Sequence, residues 1–230
     1  MLKKWLKKLP IPITKNHQYD IQAKKVIRQV MQIDSVGVDV GCHGREFLDL
    51  FLKYAPNSQH LGFEPLPDYY QNLVKNYGTK CQIFPQALSD KKGESTFNYV
   101  ISNPAYSGLQ KRNYDKPNEK DTSITVETDL LDQLIPKNKQ IDFIKIDVEG
   151  AELAVLEGAE ILLSEHRPTF YAEIGTTVFS ACFDLVRKYG YSIFGPDGQP
   201  TKQPDRSNYF FVHKTQDRML RAIQQFDLSS

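Results

Sequence analysis

The fold is decided by residues 141–150, Ile141-Asp142-Phe143-Ile144-Lys145-Ile146-Asp147-Val148-Glu149-Gly150. A short, mostly apolar run of this kind predicts a buried strand, and a helical pattern of apolar residues begins directly after it at Ala151. Open α/β sheets bind their ligands in the crevice outside the carboxyl ends of the strands. The carboxylates Asp147 and Glu149 stand at such an end, so the sequence predicts a reaction centre there.

Two further predicted strands end in polar turns of the same kind. One ends in Val38-Asp39-Val40-Gly41-Cys42-His43-Gly44, and the other in Leu61-Gly62-Phe63-Glu64-Pro65. A carboxylate in the position of Glu64 suits a ribose, because it can accept a hydrogen bond from each of the two ribose hydroxyl groups. The dinucleotide spacing G-x-G-x-x-G is absent, since residue 46 is Glu46. A nucleoside-type site is predicted, and these strand ends alone do not choose between NAD and S-adenosylmethionine.

The rest of the chain alternates helical and extended patterns. Five strand-helix steps followed by an antiparallel pair predict an α/β fold, a doubly wound, mostly parallel, seven-stranded sheet with an added β-hairpin and an N-terminal helical extension. The helical patterns recur at three and four residues, and the strands are short apolar or alternating runs. The predicted strands are 36–40, 61–64, 82–87, 141–147 and 169–174, with an antiparallel pair at 191–194 and 208–213 and a hairpin at 93–100 and 123–127.

The domain organisation is predicted as an N-terminal helical extension, residues 1–35, followed by one catalytic domain, residues 36–230. A polar insertion, residues 98–122, interrupts that domain. Long loops of this composition are either lids over a binding site or disordered segments, and both interpretations stay open. Within the insertion Tyr106, Arg112 and Tyr114 suit contact with a sugar ring, because aromatic faces and planar donors bind such rings. The alternative is ordinary loop surface.

Composition excludes several classes of protein. The chain has 230 residues, 40% hydrophobic, with a net charge of +1 and three cysteines that match neither a disulfide framework nor zinc spacing. Nucleic-acid binding is not indicated, because the basic residues are concentrated only at the N-terminus. We expect a cytoplasmic protein, since no apolar run is long enough to span a bilayer. Residues 1–10 form a short basic amphipathic pattern, which indicates either peripheral contact with an anionic membrane or a frayed terminus.

Between Val36 and Gly175 the chain resembles the FkbM-type methyltransferases, which depend on S-adenosylmethionine and mostly O-methylate sugars and natural-product hydroxyls. The segment Asp147-Val148-Glu149-Gly150-Ala151-Glu152 is the specific part of this resemblance. The resemblance implies a class I methyltransferase fold, which is Rossmann-like. The other matching motifs are Val38-Asp39-Val40-Gly41, Phe63-Glu64-Pro65, Ala87-Leu88-Ser89-Asp90 and Ala172-Glu173-Ile174.

The resemblance also assigns cofactor contacts. It implies that Asp39, Gly41 and Cys42 line the methionine end of S-adenosylmethionine and that Glu64 binds its ribose. One position departs from the family, which usually carries glycine four residues after Gly41, where this chain has Arg45. The remaining predicted contacts are Ala87, Leu88 and Ser89 at the adenine edge, with His43, Gly44, Pro65 and Asp147.

Catalysis of methyl transfer to a hydroxyl requires a base that removes the acceptor proton as the in-line attack proceeds. The predicted base is Asp147 or Glu149, with Glu173 orienting the acceptor; Glu149 alternatively serves only as an acidic residue at a helix N-terminus. His43 is a third candidate base, a cofactor contact or a polar turn residue. A magnesium ion held by Asp147, Glu149 and Glu173 is left open, and no metal ligand is assigned.

The predicted function is therefore S-adenosylmethionine-dependent O-methylation of a sugar, glycan or natural-product hydroxyl. Two alternatives remain at this point. An NAD-dependent enzyme has the same fold, although the missing third glycine argues against it. A non-catalytic scaffold that keeps the fold is the other, and the acidic residues at the strand ends argue against that one.

Overall fold

The computed structural model of the protein describes residues 15–112, 114, 118–204 and 206–224. Residues 1–10, whose basic pattern indicates either a peripheral membrane contact or a frayed terminus, lie outside this part of the chain. Ten strands are formed within it. They are β1 (Gly37–Val40), β2 (His60–Phe63), β3 (Cys81–Phe84), β4 (Ala87–Leu88), β5 (Gly93–Val100), β6 (Asp121–Asp129), β7 (Phe143–Ile146), β8 (Thr169–Glu173), β9 (Tyr191–Phe194) and β10 (Asn208–His213).

Seven of these strands form the main sheet in the order β3-β2-β1-β7-β8-β10-β9. Every neighbouring pair from β3 to β8 is parallel, and β10 is antiparallel to both β8 and β9. The predicted doubly wound, mostly parallel, seven-stranded sheet is confirmed. The strand order also brings the carboxyl ends of β2, β1, β7 and β8 side by side, which positions the candidate site.

Helices cover both faces of the sheet. The described part of the chain contains α1 (Lys15–Val30), α2 (Glu46–Tyr54), α3 (Pro67–Tyr77), α4 (Leu131–Leu134), α5 (Glu152–Glu157), α6 (Phe179–Lys188) and α7 (Asp217–Gln224). The apolar side chains of α1, α2, α3 and α7 form one core with Phe143 and Tyr171. Those of α5 and α6 form a second core with Ile144 and Ile146. Alternation along β7 sends successive side chains to opposite faces, which explains the two cores.

A small second sheet stands beside the main one in the order β4-β6-β5. Its β5 and β6 are antiparallel, from Gly93 opposite Thr128 to Val100 opposite Asp121, so the predicted hairpin is confirmed. The predicted strand 82–87 is wrong as one element, because it divides into β3 and β4. Pro85 separates the two parts, and proline removes a donor that a continuous ladder requires. The sequence pattern did not predict that β4 would join the hairpin.

Two helical predictions also need correction. Leu153, Leu156, Ala159 and Leu163 have helical spacing, which predicts one continuous helix after Ala151. This prediction is wrong, because α5 ends at Glu157 and a wider π-type turn follows at Leu162–His166. The break falls at Gly158, where a Cβ atom would lie 2.2 Å from the carbonyl oxygen of Ser89. Helix α7 was not predicted at all. Among the described residues no helix combines the length and the apolar character that a membrane crossing needs.

Candidate active site

The carboxyl ends of β1, β2 and β7 enclose a cleft of about 670 Å³, which we call the inner cleft. Its walls are largely apolar, with a few polar groups at one side. Binding sites for small ligands are usually concave and mostly apolar, with a few polar groups that fix the ligand's orientation. The predicted site residues that line it are Gly41, His43, Glu64, Pro65, Ala87, Leu88, Asp147 and Glu149, and further walls are supplied by Leu66, Phe97, Ala105 and Leu109.

Glu64 is buried at the edge of the inner cleft, and both of its oxygens are held by backbone. Oε2 accepts a hydrogen bond from the His43 amide at 2.9 Å, and Oε1 accepts one from the Leu66 amide at 3.0 Å. Burial raises the pKa of Glu64 to about 7, although these two hydrogen bonds oppose the shift. The carboxylate joins the turns after β1 and β2 and keeps lone pairs for a ligand hydroxyl.

The turn after β1 depends on close packing at Gly41. Its φ is +79°, and a Cβ atom there would lie 2.0 Å from the carbonyl oxygen of Asp147. Arg45, which stands where the resemblance leads us to expect glycine, adopts the left-handed conformation at φ +55° and begins α2. Gly44 does not have a positive φ, and a Cβ atom there would meet nothing within 4 Å. The turn therefore keeps its left-handed residue at position 45 despite the arginine.

Lys145 lies buried beneath the two turns, and the sequence did not identify it as a site residue. Its Nζ lies 3.2 Å from Asp39 Oδ1 and 3.7 Å from Asp147 Oδ2. It also donates to the carbonyl oxygen of Gly41 at 2.7 Å. Burial alone would lower the pKa of Lys145, but the charges of Asp39 and Asp147 outweigh it and the pKa is raised. Lys145 thus links the turn after β1 to the end of β7 as a cation.

Four of the predicted cofactor residues are not among those that line the inner cleft. Asp39 is 1% exposed and pairs with Lys145, and burial raises its pKa against that pairing. The Cys42 thiol is buried and donates to the Asp39 carbonyl at 3.2 Å. A Cβ atom at Gly44 would face open space, and the Ser89 hydroxyl donates a hydrogen bond to the Asp90 carboxylate at 2.9 Å. Asp39 and Cys42 therefore shape the turn from below, since their side chains face the core.

A second, open cleft of about 1580 Å³ lies on the other side of the loop that follows β7, and we call it the outer cleft. Asp147 and Glu149 line both clefts. The outer cleft is rich in charge, and it includes the predicted Glu173 at the end of β8. Its other polar side chains are Gln110, Lys111 and Arg112 from the polar insertion, Glu152 at the start of α5, Thr176 and Thr177 after β8, and Arg206 and Ser207 between β9 and β10.

The polar insertion approaches the site from above. Arg112 forms an ion pair with Glu149, and its guanidinium lies 4.9 Å from the centre of the Tyr106 ring. Tyr114 stacks on Tyr106 with ring centres 6.4 Å apart and donates its hydroxyl hydrogen bond to Asp121 at 2.5 Å. The described residues of the insertion thus lie beside the strand ends. Burial raises the pKa of Glu149 to about 7, and Asp147 adds to the shift while Arg112 opposes it.

Glu152 is, after Lys145, the second residue of the site that the sequence did not single out for chemistry. It is 2% exposed, and its Oε1 accepts a hydrogen bond from the Gly150 amide at 2.7 Å. Both residues of the turn it stabilises have positive φ, +56° at Glu149 and +109° at Gly150. Burial raises the pKa of Glu152, and the bond from Gly150 opposes the shift. Glu152 therefore holds the loop that presents Asp147 and Glu149.

His43 contributes a flat surface to the inner cleft. Its ring stacks on Tyr69 with centres 4.6 Å apart and planes 23° apart. Its backbone amide is the donor to Glu64, so the residue contributes through both its main chain and its side chain.

As for metals, the described residues contain no group of three or more His, Cys, Asp or Glu side chains placed to hold an ion.

A doubly wound sheet with a mostly apolar cleft at its strand ends and a charged cleft beside it defines the class of open α/β proteins that bind small ligands outside the carboxyl ends of their strands. Residues 19–193 match the family described as the Methyltransferase FkbM domain. The chain belongs to the FkbM methyltransferase family. The resemblance carried by its strand-end motifs is confirmed.

The proteins similar to the chain include two curated proteins and a solved structure. It is 28% identical to the 2-O-methyltransferase NoeI of Sinorhizobium fredii, over 62% of the chain and 66% of that protein. It is 24% identical to the AMB antimetabolite synthetase AmbE of Pseudomonas aeruginosa, over 80% of the chain but 11% of that protein. The crystal structure of a methyltransferase FkbM from Methylobacillus flagellatus KT matches with a TM-score of 0.55 and 18% identity, over 79% of the chain and 44% of that structure. The chain thus spans less than two thirds of the length of these relatives.

Proposed function

We propose that the protein is an S-adenosylmethionine-dependent O-methyltransferase that acts on a hydroxyl of a sugar, glycan or natural product. The observation that carries this proposal is the meeting of the inner and outer clefts at Asp147 and Glu149. A donor in one cleft and an acceptor in the other would face each other across these two carboxylates. Transfer needs this arrangement, because holding both reactants in line supplies much of the rate.

The inner cleft suits the cofactor. Its apolar walls match an adenosine, and Glu64 is placed to accept the hydrogen bonds of the ribose hydroxyls, with Ala87 and Leu88 beside the base. When bound, S-adenosylmethionine supplies an activated methyl group on a sulfonium. NAD is the less suitable ligand, because the turn after β1 lacks the third glycine of the dinucleotide fingerprint.

The outer cleft suits a hydroxyl acceptor. Carboxylates accept hydrogen bonds from hydroxyl groups, and we assign Glu173 to orient the acceptor at the end of β8. Glu149 is the preferred base, with Asp147 as the alternative. A pKa of about 7 places Glu149 where a base is partly ionised at neutral pH and still binds a proton well.

The relatives support the acceptor class. NoeI is named a 2-O-methyltransferase, and the chain covers 66% of its length. AmbE is named an antimetabolite synthetase, of which the matching region is 11%. Methyl transfer to an oxygen agrees with the name of NoeI and with the polar outer cleft. A cytoplasmic location stays a prediction.

The cofactor assignment is tested by calorimetric titration with S-adenosylhomocysteine and, separately, with NAD. We expect saturable binding of S-adenosylhomocysteine alone and at least tenfold weaker binding by Glu64→Ala. The matched control is Glu157→Ala, which removes an exposed glutamate on α5. Absence of binding by the folded protein would refute the proposal and favour the scaffold alternative, and binding of NAD would favour the dehydrogenase alternative.

The transferase assignment is tested with methyl-labelled S-adenosylmethionine and a panel of sugar and glycan acceptors. We expect labelled product that carries an O-methyl group and that Glu149→Gln reduces by at least a hundredfold, because removing a general base typically costs on the order of 10²–10⁴ in rate. Labelled product from Glu149→Gln at the wild-type rate would move the role of base to Asp147.

A further inference from the structure

The polar insertion contacts both the inner cleft and the loop that carries the candidate base. Pro104, Ala105, Ser107 and Leu109 line the inner cleft from above. A few residues further along the chain, Arg112 reaches the Glu149 carboxylate in the outer cleft. A single segment thus covers the inner cleft and supplies Arg112, the cation beside the candidate base Glu149.

The backbone of the insertion lies directly on the loop after β7. A Cβ atom at Gly108 would stand 3.0 Å from the carbonyl oxygens of both Val148 and Glu149, so the two backbones are closely packed at this point. Gly108 also exchanges two backbone hydrogen bonds with Asn98 on β5, at 2.9 and 3.1 Å. This bridge ties the contact to the small sheet, which is a rigid support.

Arg112 itself is held between the Glu149 carboxylate and the Tyr106 ring. The Tyr106 ring lies beneath its guanidinium, and Tyr106 is stacked in turn on Tyr114. The Tyr114 hydroxyl accepts a hydrogen bond from Asn98 at 2.7 Å and donates one to Asp121. The side chain that reaches Glu149 is therefore positioned by the fold of the insertion and not by Glu149 alone.

The charges around Glu149 oppose its ionisation, with one exception. Asp147 on the same loop and Glu152 at the start of α5 both raise its pKa, in addition to burial. Arg112 is the cation that lowers it. Three more charged groups line the same cleft. Glu173 lies at the end of β8, Arg206 Nη1 lies 2.7 Å from Asp197, and Lys111 Nζ lies 2.6 Å from Asp121, so both cations are paired with other carboxylates.

We propose that Arg112 is a positioning residue that orients Glu149 and keeps it ionised while the polar insertion covers the inner cleft. Glu149 is then oriented and ionised only when the polar insertion covers the inner cleft. This inference rests on the proposed function, because it takes Glu149 as the base. It assigns Arg112 to the enzyme's own carboxylate and not to the acceptor.

The test is a carbon-13 NMR titration of protein labelled at glutamate Cδ, which needs neither cofactor nor acceptor. The Glu149 signal is identified by its loss in Glu149→Gln. In Arg112→Met we expect the Glu149 midpoint to rise by about one pH unit, as for loss of one close opposite charge. The ionised fraction at pH 7 then falls from about one half to about one tenth, a fivefold loss of active base.

Two further variants make the titration specific. Arg112→Lys keeps the charge and should restore most of the wild-type midpoint, whereas Lys120→Met removes an exposed lysine of the same insertion and should leave it unchanged. An unchanged Glu149 midpoint in Arg112→Met would overturn the inference. If Arg112→Met does not fold, a midpoint in Arg112→Gln equal to wild type would overturn it equally.

Closure is measured by amide hydrogen exchange over residues 104–110. We expect Arg112→Met and Glu149→Gln to speed this exchange by at least threefold, and Lys120→Met to leave it unchanged. Equal exchange in all variants would refute the coupling. Calorimetry with S-adenosylhomocysteine is a separate readout, so failure of the proposed cofactor site and failure of this inference give different results.

Discussion

Replacing Lys145 by methionine should strongly destabilise the protein, although the two side chains have similar length. The change removes the cation that lies 3.2 Å from the buried Asp39 carboxylate. It also removes the donor to the Gly41 carbonyl oxygen at 2.7 Å. Asp39 is 1% exposed, so water does not replace the lost partner.

The magnitude follows from the burial of both charges. Removing one partner of a buried ion pair typically costs about 3–5 kcal/mol, because the remaining charge is left uncompensated. For a slope of about 2–3 kcal/mol per molar urea, the unfolding midpoint falls by about 1–2 M. The matched control is Lys75→Met on α3, an exposed lysine, for which we expect a change within about 0.5 kcal/mol.

Urea unfolding of a double-mutant cycle measures the pair itself. Asp39→Asn alone should also destabilise, because it leaves Lys145 buried beside a neutral group. Combined with Lys145→Met, it should recover about 2–3 kcal/mol relative to the sum of the two single changes. Additivity within about 0.5 kcal/mol would refute the view that these two buried charges stabilise each other.

Three further predictions concern the turns of the inner cleft. Gly41→Ala should cost more than about 3 kcal/mol in urea unfolding, because its Cβ would lie 2.0 Å from the Asp147 carbonyl oxygen, whereas Gly44→Ala should stay within about 0.5 kcal/mol of wild type; equal effects would contradict the described turn. Arg45→Gly should stabilise by about 0.5–1 kcal/mol, since it relieves a left-handed conformation at φ +55°, and a clear loss of stability by the same assay would count against that strain. Calorimetry should show that the affinity for S-adenosylhomocysteine falls as the pH drops below about 7, because Glu64 then takes up a proton; a pH-independent affinity would argue against Glu64 as the ribose acceptor. In the free protein the trend is opposite: the stability that Glu64 contributes falls as the pH rises from about 4.5 to about 7, because its pKa is higher in the folded than in the unfolded chain.

Much of the fold was predicted from local pattern. The alternation of helical and extended segments predicted the seven-stranded sheet, the β5-β6 hairpin and the antiparallel edge pair, because side-chain periodicity reports which face is buried. Errors occurred where a close tertiary contact interrupted a favourable pattern. Gly158 ends α5 against the Ser89 carbonyl, and no feature of the residues 151–163 alone indicates that contact.

The candidate site shows the same division. The strand-end motifs predicted the residues on the two clefts, including Glu64, Asp147 and Glu149. They did not predict that Asp39 would face Lys145 within the core. A signal was present, since a lysine inside an apolar strand needs a buried partner, and the parallel pairing of β1 with β7 places Asp39 directly opposite Lys145.

The sequence by itself determined the class of fold, the family and the polar residues at each strand end. These follow from short-range features: the period of apolar residues, the turn residues, and a specific motif. The tertiary structure alone decided which distant groups meet. Arg112 reaches Glu149, and Lys145 reaches both Asp39 and Asp147, because strand order and the path of the insertion bring together residues far apart in the chain. Burial raises the pKa of Glu149 and of Asp39, and Arg112 and Lys145 respectively oppose that shift, which no local pattern encodes.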